Sequence, residues 1–274
     1  MKPSQYQAWM HRAFLNVQAT LAGELSSSIG YVAEEYLRTA LMKGLCHSVP
    51  AGSDRVRPEV DAWWTDHTCA NPAHAPQVRP GRGRKIQHDV GIEAEPGEPD
   101  DRGLVCEIKW LKTANPSAII GDLWKLSLAK TDDRELASRR TYLLVGGEAD
   151  AFKKTLQGLR HAGVLLQWRN HKGGPPASTS IDLDALAVRA AGRDALVDLL
   201  SWGDSAHRRA APPCRASLRA SRRGLWQEWA NDPVTPVTTA FRAWRLALWE
   251  LDTRAAGAGA IDWNAWGAGV PFAC

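Results

Sequence analysis

Gly103 to Leu111, GLVCEIKWL, constrains the fold of this chain more than any other stretch. Leu104, Cys106, Ile108 and Trp110 are apolar, and the residues between them include an acid and a base, Glu107 and Lys109, two positions apart. Side chains of a strand alternate between faces, so the pattern predicts a strand with an apolar row on one side and Glu107 beside Lys109 on the other. A solvated charge run needs no such apolar backing, and the pair is a candidate active site. The segment Arg84 to Glu93 alternates too, with Ile86, His88, Val90 and Ile92 on one face and Lys85, Gln87, Asp89, Gly91 and Glu93 on the other. The linking sequence EAEPGEPDDRG is rich in Pro, Gly and Asp, as hairpin connections are, and its acids read as solvated. Pairing the two strands through this turn joins the apolar rows into one core face and brings Asp89 to the face of Glu107 and Lys109.

Upstream, Tyr6 to Leu45 has helical spacing, with a break expected near Ser26 to Ile29 and a second helix starting around Gly30. Val32, Ala33, Tyr36, Leu37, Ala40 and Leu41 form its apolar stripe, and Gly44 is the expected C-terminal stop. Glu34 falls on one border of that stripe, while Glu35 lies further round, off the opposite border; taken alone, the helix reads them as two solvated glutamates. Pro50 to Arg82 shows no period and reads as a long loop with one short element around Trp63 and Trp64. His67, Cys69 and His74 match no standard zinc spacing. The basic cluster Arg79, Arg82, Arg84 and Lys85 closes the loop, as a solvated edge or as a phosphate contact.

Downstream, the pattern predicts a helix over Ser117 to Lys130, a strand over Thr141 to Val145, a helix from Ala149 to Arg160 and a strand near Val164 to Arg169. Two hairpin strands followed by a helix that crosses over to a third strand describe an α/β (α+β) core with a mixed sheet. Residues 1–172 form that core with its N-terminal helices. Composition shifts after Gly173-Gly174-Pro175-Pro176, so 173–274 is expected to be a C-terminal extension packed on the core. Ile181 to Leu200 reads as helix. Ser205 to Leu225 carries Arg208, Arg209, Arg215, Arg219, Arg222 and Arg223 without one acid and precedes Trp226 and Trp229; it is either a solvated run or a nucleic-acid contact. Phe241 to Leu251 fits a last strand or a short helix.

The net charge of +4 in 274 residues is too small to name a partner, so any anionic ligand must be argued from where the arginines cluster. Five scattered cysteines with no apolar leader predict a cytoplasmic protein with free thiols, and no run of about 18 apolar residues marks a membrane span.

Asp89 and Glu107 on adjacent strands would repel unless neutralised. Lys109 supplies one charge, and a hard divalent cation, Mg²⁺ or Mn²⁺, suits the remaining oxygen donors. That chemistry serves hydrolysis of a phosphodiester, with the lysine holding or deprotonating the attacking water. Asp89, seventeen intervening residues and then Glu107-Ile108-Lys109, with an acid-bearing helix upstream, resembles the PD-(D/E)xK nuclease superfamily over about Gly30 to Leu166. The residue before Asp89 is His88, where the motif's name has proline. The resemblance implies a restriction-endonuclease-like αβββαβ core with a mixed central sheet. It further implies a Mg²⁺-dependent DNA endonuclease of restriction or anti-phage defence type, with Mn²⁺ able to substitute. The implied ligands are Asp89, Glu107, the main-chain carbonyl of Ile108 and the helix acid, Glu34 ahead of its alternative Glu35. Lys109 would position the water, and Lys125, in GDLWKLSL, would be the polar residue of the following helix. An RNA- or single-strand-directed nuclease and an inactive nucleic-acid-binding module of the same fold are the alternatives. A homodimer, or a cutting subunit of a larger defence complex, would make two cuts in a duplex.

Overall fold

The computed structural model describes residues 3–26, 34–49, 53–61, 87–94, 103–130, 140–161, 180–182, 218–229 and 244–255. Its elements are α1 (Pro3–Ser26), α2 (Glu34–Ser48), a 3₁₀ turn (Ser53–Arg55), β1 (Val56–Asp61), β2 (Gln87–Ile92), β3 (Leu104–Leu111), α3 (Pro116–Lys130), β4 (Arg140–Glu148), α4 (Ala149–His161), β5 (Ser180–Asp182), β6 (Leu218–Trp229) and β7 (Trp244–Ala255). The class is mixed α and β, as the patterns predict. The strands join in the order β1-β2-β3-β4-β7-β6-β5. Only β3 and β4 run parallel, joined by α3, because parallel neighbours need a crossover; all other pairs are antiparallel.

The apolar row of β3 decides the layering. Leu104, Cys106, Ile108 and Trp110 share a core with Val90 and Ile92 of β2, Tyr142 and Leu144 of β4, and Leu246 and Leu248 of β7. Against it pack Tyr6, Met10, Ala13, Phe14 and Val17 of α1, spaced three and four apart, and Leu37, Leu41 and Leu45 of α2. Residues of opposite parity, Val105, Leu111, Leu143 and Val145, are buried as well. They face α3 and α4, which lie against β3, β4 and β7 and bury Ile119, Ile120, Leu123, Phe152 and Leu159. Covered on both sides, β3 is a central strand, and a charged group on it is shielded from water.

Several expectations change. Gly44 does not stop its helix: α2 runs on to Ser48, and a Cβ at Gly44 would come within 2.9 Å of the Ala13 backbone. The glycine is there to let α1 and α2 touch. Part of the stretch read as a loop is strand β1, which tolerates Pro58 because it lies at the sheet edge, where a missing N–H breaks no inner rung. The helix expected from Ile181 begins instead inside β5, and the rest of that segment lies outside the described residues. Residues 218–225 of the arginine-rich run are not a loop. They enter β6, where Arg219, Arg222 and Arg223 stand opposite Arg254, Leu251 and Glu250 of β7. Of Phe241 to Leu251, residues 244–251 are strand, within β7, and 241–243 lie outside the described residues. The elements expected at Trp63 and Trp64 and near Val164 to Arg169 lie outside the described residues.

Candidate active site

The β2–β3 ladder consists of Val90 with Cys106, Gly91 with Val105 and Ile92 with Leu104, so the two apolar rows do share a face. Its last rung is Val90–Cys106. On the other side of β2 the pairing passes from Pro58–Val90 to Val60–His88 and skips Glu59–Asp89. Glu59 has φ 52°, a left-handed backbone that strains a residue with a side chain. Asp89 thus has a rung with neither neighbour. Its carboxylate takes over: Oδ2 accepts a hydrogen bond of 2.7 Å from the main-chain N–H of Ile108, the amide between Glu107 and Lys109.

Glu107 is buried, with Oε1 2.6 Å from Nδ1 of the fully buried His88 and Oε2 accepting from Lys125 Nζ at 2.6 Å. His88 was expected in the apolar row. His88 is still paired with Val60 of β1, but the ladder to β3 has ended at Val90, and without a rung to β3 alternation no longer fixes which side chains of that strand it meets. Lys109 Nζ stands 3.4 Å from Glu34 Oε1 and 3.6 Å from Asp122 Oδ2. Glu34 Oε1 also accepts from the Trp110 N–H at 3.2 Å, whereas the exposed Glu35 turns to Arg38. Of the two helix acids, Glu34 is the one that reaches β3.

Local sequence explains how α3 is aimed. Asn115 is its N-cap, with Oδ1 accepting from Ala118 N at 3.1 Å, and Pro116 occupies the first helical position, where no N–H is needed. The Asn115 N–H in turn donates to Thr155 Oγ1 at 3.0 Å, which fixes the start of α3 against α4. Asp122 and Lys125, three residues apart, then share one helical face toward β3.

Four carboxylates, Glu34, Asp89, Glu107 and Asp122, thus meet the ammonium groups of Lys109 and Lys125. Like charges about 4 Å apart cost roughly 4 kcal/mol at an effective dielectric of 20, so they cannot all ionise cheaply. Burial raises Glu107 to about 8, against the pull of Lys125 and helped by the charge of Asp89. Burial and then the charge of Glu107 raise Asp122 to about 8 as well, against Lys109 and Lys125. Burial opposes the charged form of both lysines, but the acids outweigh it: Asp122, Glu34 and Asp89 raise Lys109, and Glu107 and Asp122 raise Lys125. Protons on the acids make up the balance near neutral pH.

The structure therefore brings Glu34, Asp89, Glu107, Lys109 and Lys125 together around β3, with the Ile108 amide held by Asp89. It adds His88 and Asp122, which sequence reasoning missed. Asp122 had a usable signal, an acid three residues before Lys125 in an apolar helix, the counterpart of Glu107 and Lys109 on the strand. His88 had none, because alternation assigns it to the other face. Arg79, Arg82, Arg84, Lys85 and Arg215, with His67, Cys69 and His74, lie outside the described residues. Arg219, Arg222 and Arg223 belong to β6, which β4 and β7 separate from β3. Among the described residues no three His, Cys, Asp or Glu side chains are set around a common point as a metal cage. Cys46 and Cys106 are free thiols, and among the described residues no helix is long and apolar enough to cross a membrane. No protein-family model matches the chain, and comparisons with curated proteins and with solved structures found no match.

Proposed function

We propose that the chain is a metal-dependent nuclease that hydrolyses phosphodiester bonds of DNA, with Mg²⁺ as its ion and Mn²⁺ able to substitute. The observation that carries this reading is the convergence on a buried strand of acids and lysines from four elements: Asp89 of β2, Glu107 and Lys109 of β3, Glu34 of α2, and Asp122 and Lys125 of α3. The element order α2-β1-β2-β3-α3-β4 also supports it, being the helix, three strands, helix and strand that the superfamily resemblance implies.

The donors suit a hard divalent cation. They are carboxylate oxygens, and they outnumber the lysines by two charges, which is what such an ion carries. They are not preset around it. Both oxygens of Glu107 are engaged, so His88 or Lys125 would have to give up one of them for Glu107 to hold an ion. Asp89, Glu107 and the Ile108 carbonyl are the residues that would hold it, with Glu34 completing the set. When bound, the ion supplies charge stabilisation at a phosphoryl oxygen and acidifies a water. Lys109, between Glu34 and Asp122, holds that water and its proton in place. Lys125 holds one oxygen of the Glu107 carboxylate in place, and Asp89 fixes the main chain between Glu107 and Lys109.

One observation favours a second reading, a binding module without turnover: in this arrangement Glu107 is already closed by His88 and Lys125. Incubating the full chain with matched duplex DNA, single-stranded DNA and RNA, with Mg²⁺, Mn²⁺ or chelator, decides between them. Ion-dependent cleavage of duplex DNA is expected, lost by on the order of 100-fold or more in Glu107→Ala. Cleavage of RNA or single strands alone would move the substrate class. Strongly salt-dependent binding without products in either ion would leave the binding module.

A further inference from the structure

The ammonium of Lys109 stands between two carboxylates carried by different helices, Glu34 of α2 at 3.4 Å and Asp122 of α3 at 3.6 Å. The two acids differ in what else holds them. Glu34 Oε1 is tied to the main chain through the Trp110 N–H. Asp122 is 8% exposed, and its Oδ2 has no hydrogen-bond donor among the described residues. A buried carboxylate oxygen without a donor is costly, and the neighbouring positions Ile119, Leu123 and Leu126 show that this part of α3 accepts apolar side chains. The charge facing Asp122 Oδ2 is Lys109.

A reciprocal arrangement results. One helical turn after Asp122, Lys125 donates to Glu107 at 2.6 Å. The acid of α3 faces the base of β3, and the base of α3 faces the acid of β3. Two residues apart on a strand and three apart on a helix cover comparable lengths, roughly 6.6 Å and 4.5 Å, so the two pairs lie side by side. The loose end of this arrangement is Lys109, a four-carbon stem that pivots freely when only one carboxylate holds it.

We propose that Asp122 is a positioning residue of the site, which with Glu34 fixes the Lys109 ammonium between α2 and α3. The proposal deepens the nuclease reading and rests on it for the reaction, but the contact itself can be read without any substrate. Two acids on separate elements confine the ammonium to the line between them, and a reacting group held in place contributes more to rate than one that samples many positions.

Brief acylation of surface amines at a single pH of about 9, above the value of about 8 to which Asp122 is raised so that its carboxylate is charged, followed by peptide mass spectrometry, reads this directly, with the exposed Lys112 as internal reference. In the parent protein Lys109 should label far more slowly than Lys112. Asp122→Asn, which keeps the shape and removes the charge, should raise Lys109 labelling severalfold, leave Lys112 unchanged, and be restored toward the parent by Asp122→Glu. In the cleavage assay the same Asn variant should lose about tenfold in kcat with KM little changed, the split expected when a group is misplaced in the transition state. Unchanged Lys109 labelling in a folded Asp122→Asn protein overturns the proposal. So does a parent protein in which Lys109 labels as fast as Lys112, a result that needs no variant to fold. If labelling rises as expected but the parent cuts no nucleic acid, the positioning role stands and the nuclease reading falls.

Discussion

Among the described residues the sheet buries two glutamates, Glu107 at 2% exposure and Glu250 at 4%, and they are held differently. Glu250, on β7, is paired with Arg140 of β4 and accepts from Gln7 Nε2 of α1 at 3.1 Å. One acid meets one base, and the amide ties a helix to the sheet. Glu107 also has two partners, but around it stand three more carboxylates, Glu34, Asp89 and Asp122, and only one further lysine, Lys109. A balanced pair locks helix, strand and strand together. A cluster with surplus negative charge costs stability, and such surplus is what ligand-binding sites keep.

The largest expected contrast is in activity. Lys109→Ala should lower Mg²⁺-dependent cleavage on the order of 100-fold or more while leaving the denaturation midpoint close to the parent. Glu250→Ala should do the reverse: near-parental cleavage per folded molecule, and a stability loss of about 2 kcal/mol by denaturant titration. That figure falls below the ~3–5 kcal/mol of a fully buried pair because a quarter of the Arg140 side chain meets solvent. Equal loss of activity in both variants would erase the distinction between lock and site.

A second expectation follows from the raised acids. Glu107 and Asp122 titrate at about 8 when folded, against 4.5 and 3.8 for ordinary side chains. Between about pH 4 and pH 8 the folded chain holds protons that the unfolded chain has released, so their contribution to stability is full below that window and falls as pH rises through it. In ion-free buffer Tm should drop from pH 5 to pH 8, and saturating Mg²⁺ should recover much of the loss at pH 8, because the ion takes over from the protons. The double variant Glu107→Gln with Asp122→Asn should flatten the profile. A parent Tm that climbs over the same range would contradict it.

The smallest effect belongs to an exposed pair. Arg57 and Glu93 approach to 3.2 Å with more than half of each side chain in solvent. Arg57→Ala should change stability by no more than about 0.5 kcal/mol, measured by the same titration. A loss as large as that from Glu250→Ala would mean that ion pairs here cannot be ranked by burial.

Sequence and structure agree where a periodic pattern has a paired partner. The β2–β3 hairpin, α3, β4 and α4 could all be read because alternation or helical spacing runs unbroken through them, and Glu107 and Lys109 stood out against that regularity. β1 was hidden by Pro58, whose cost depends on edge position, which a sequence does not state. β6 was hidden by its arginines, since what makes it a strand is a run of main-chain bonds to β7, a partner distant in sequence. Gly44 looked like a stop because its use lies in a second helix. His88 was misplaced for the most local reason, the end of one ladder a single residue away.

That ending gives the site two parts held by different means. β3 is bonded to β4 along its whole length, from Leu104 opposite Arg140 to Leu111 opposite Gly147, so Glu107 and Lys109 ride on a fixed jaw. His88 and Asp89 sit on β2 beyond its last rung with β3, and they form the other, joined to β3 by side chains: His88 to Glu107 and Asp89 to the Ile108 N–H. One jaw is therefore bolted down by main chain and the other clamped by side chains, so a substitution at His88 or Asp89 changes the grip and leaves the strand that carries the lysine where it is.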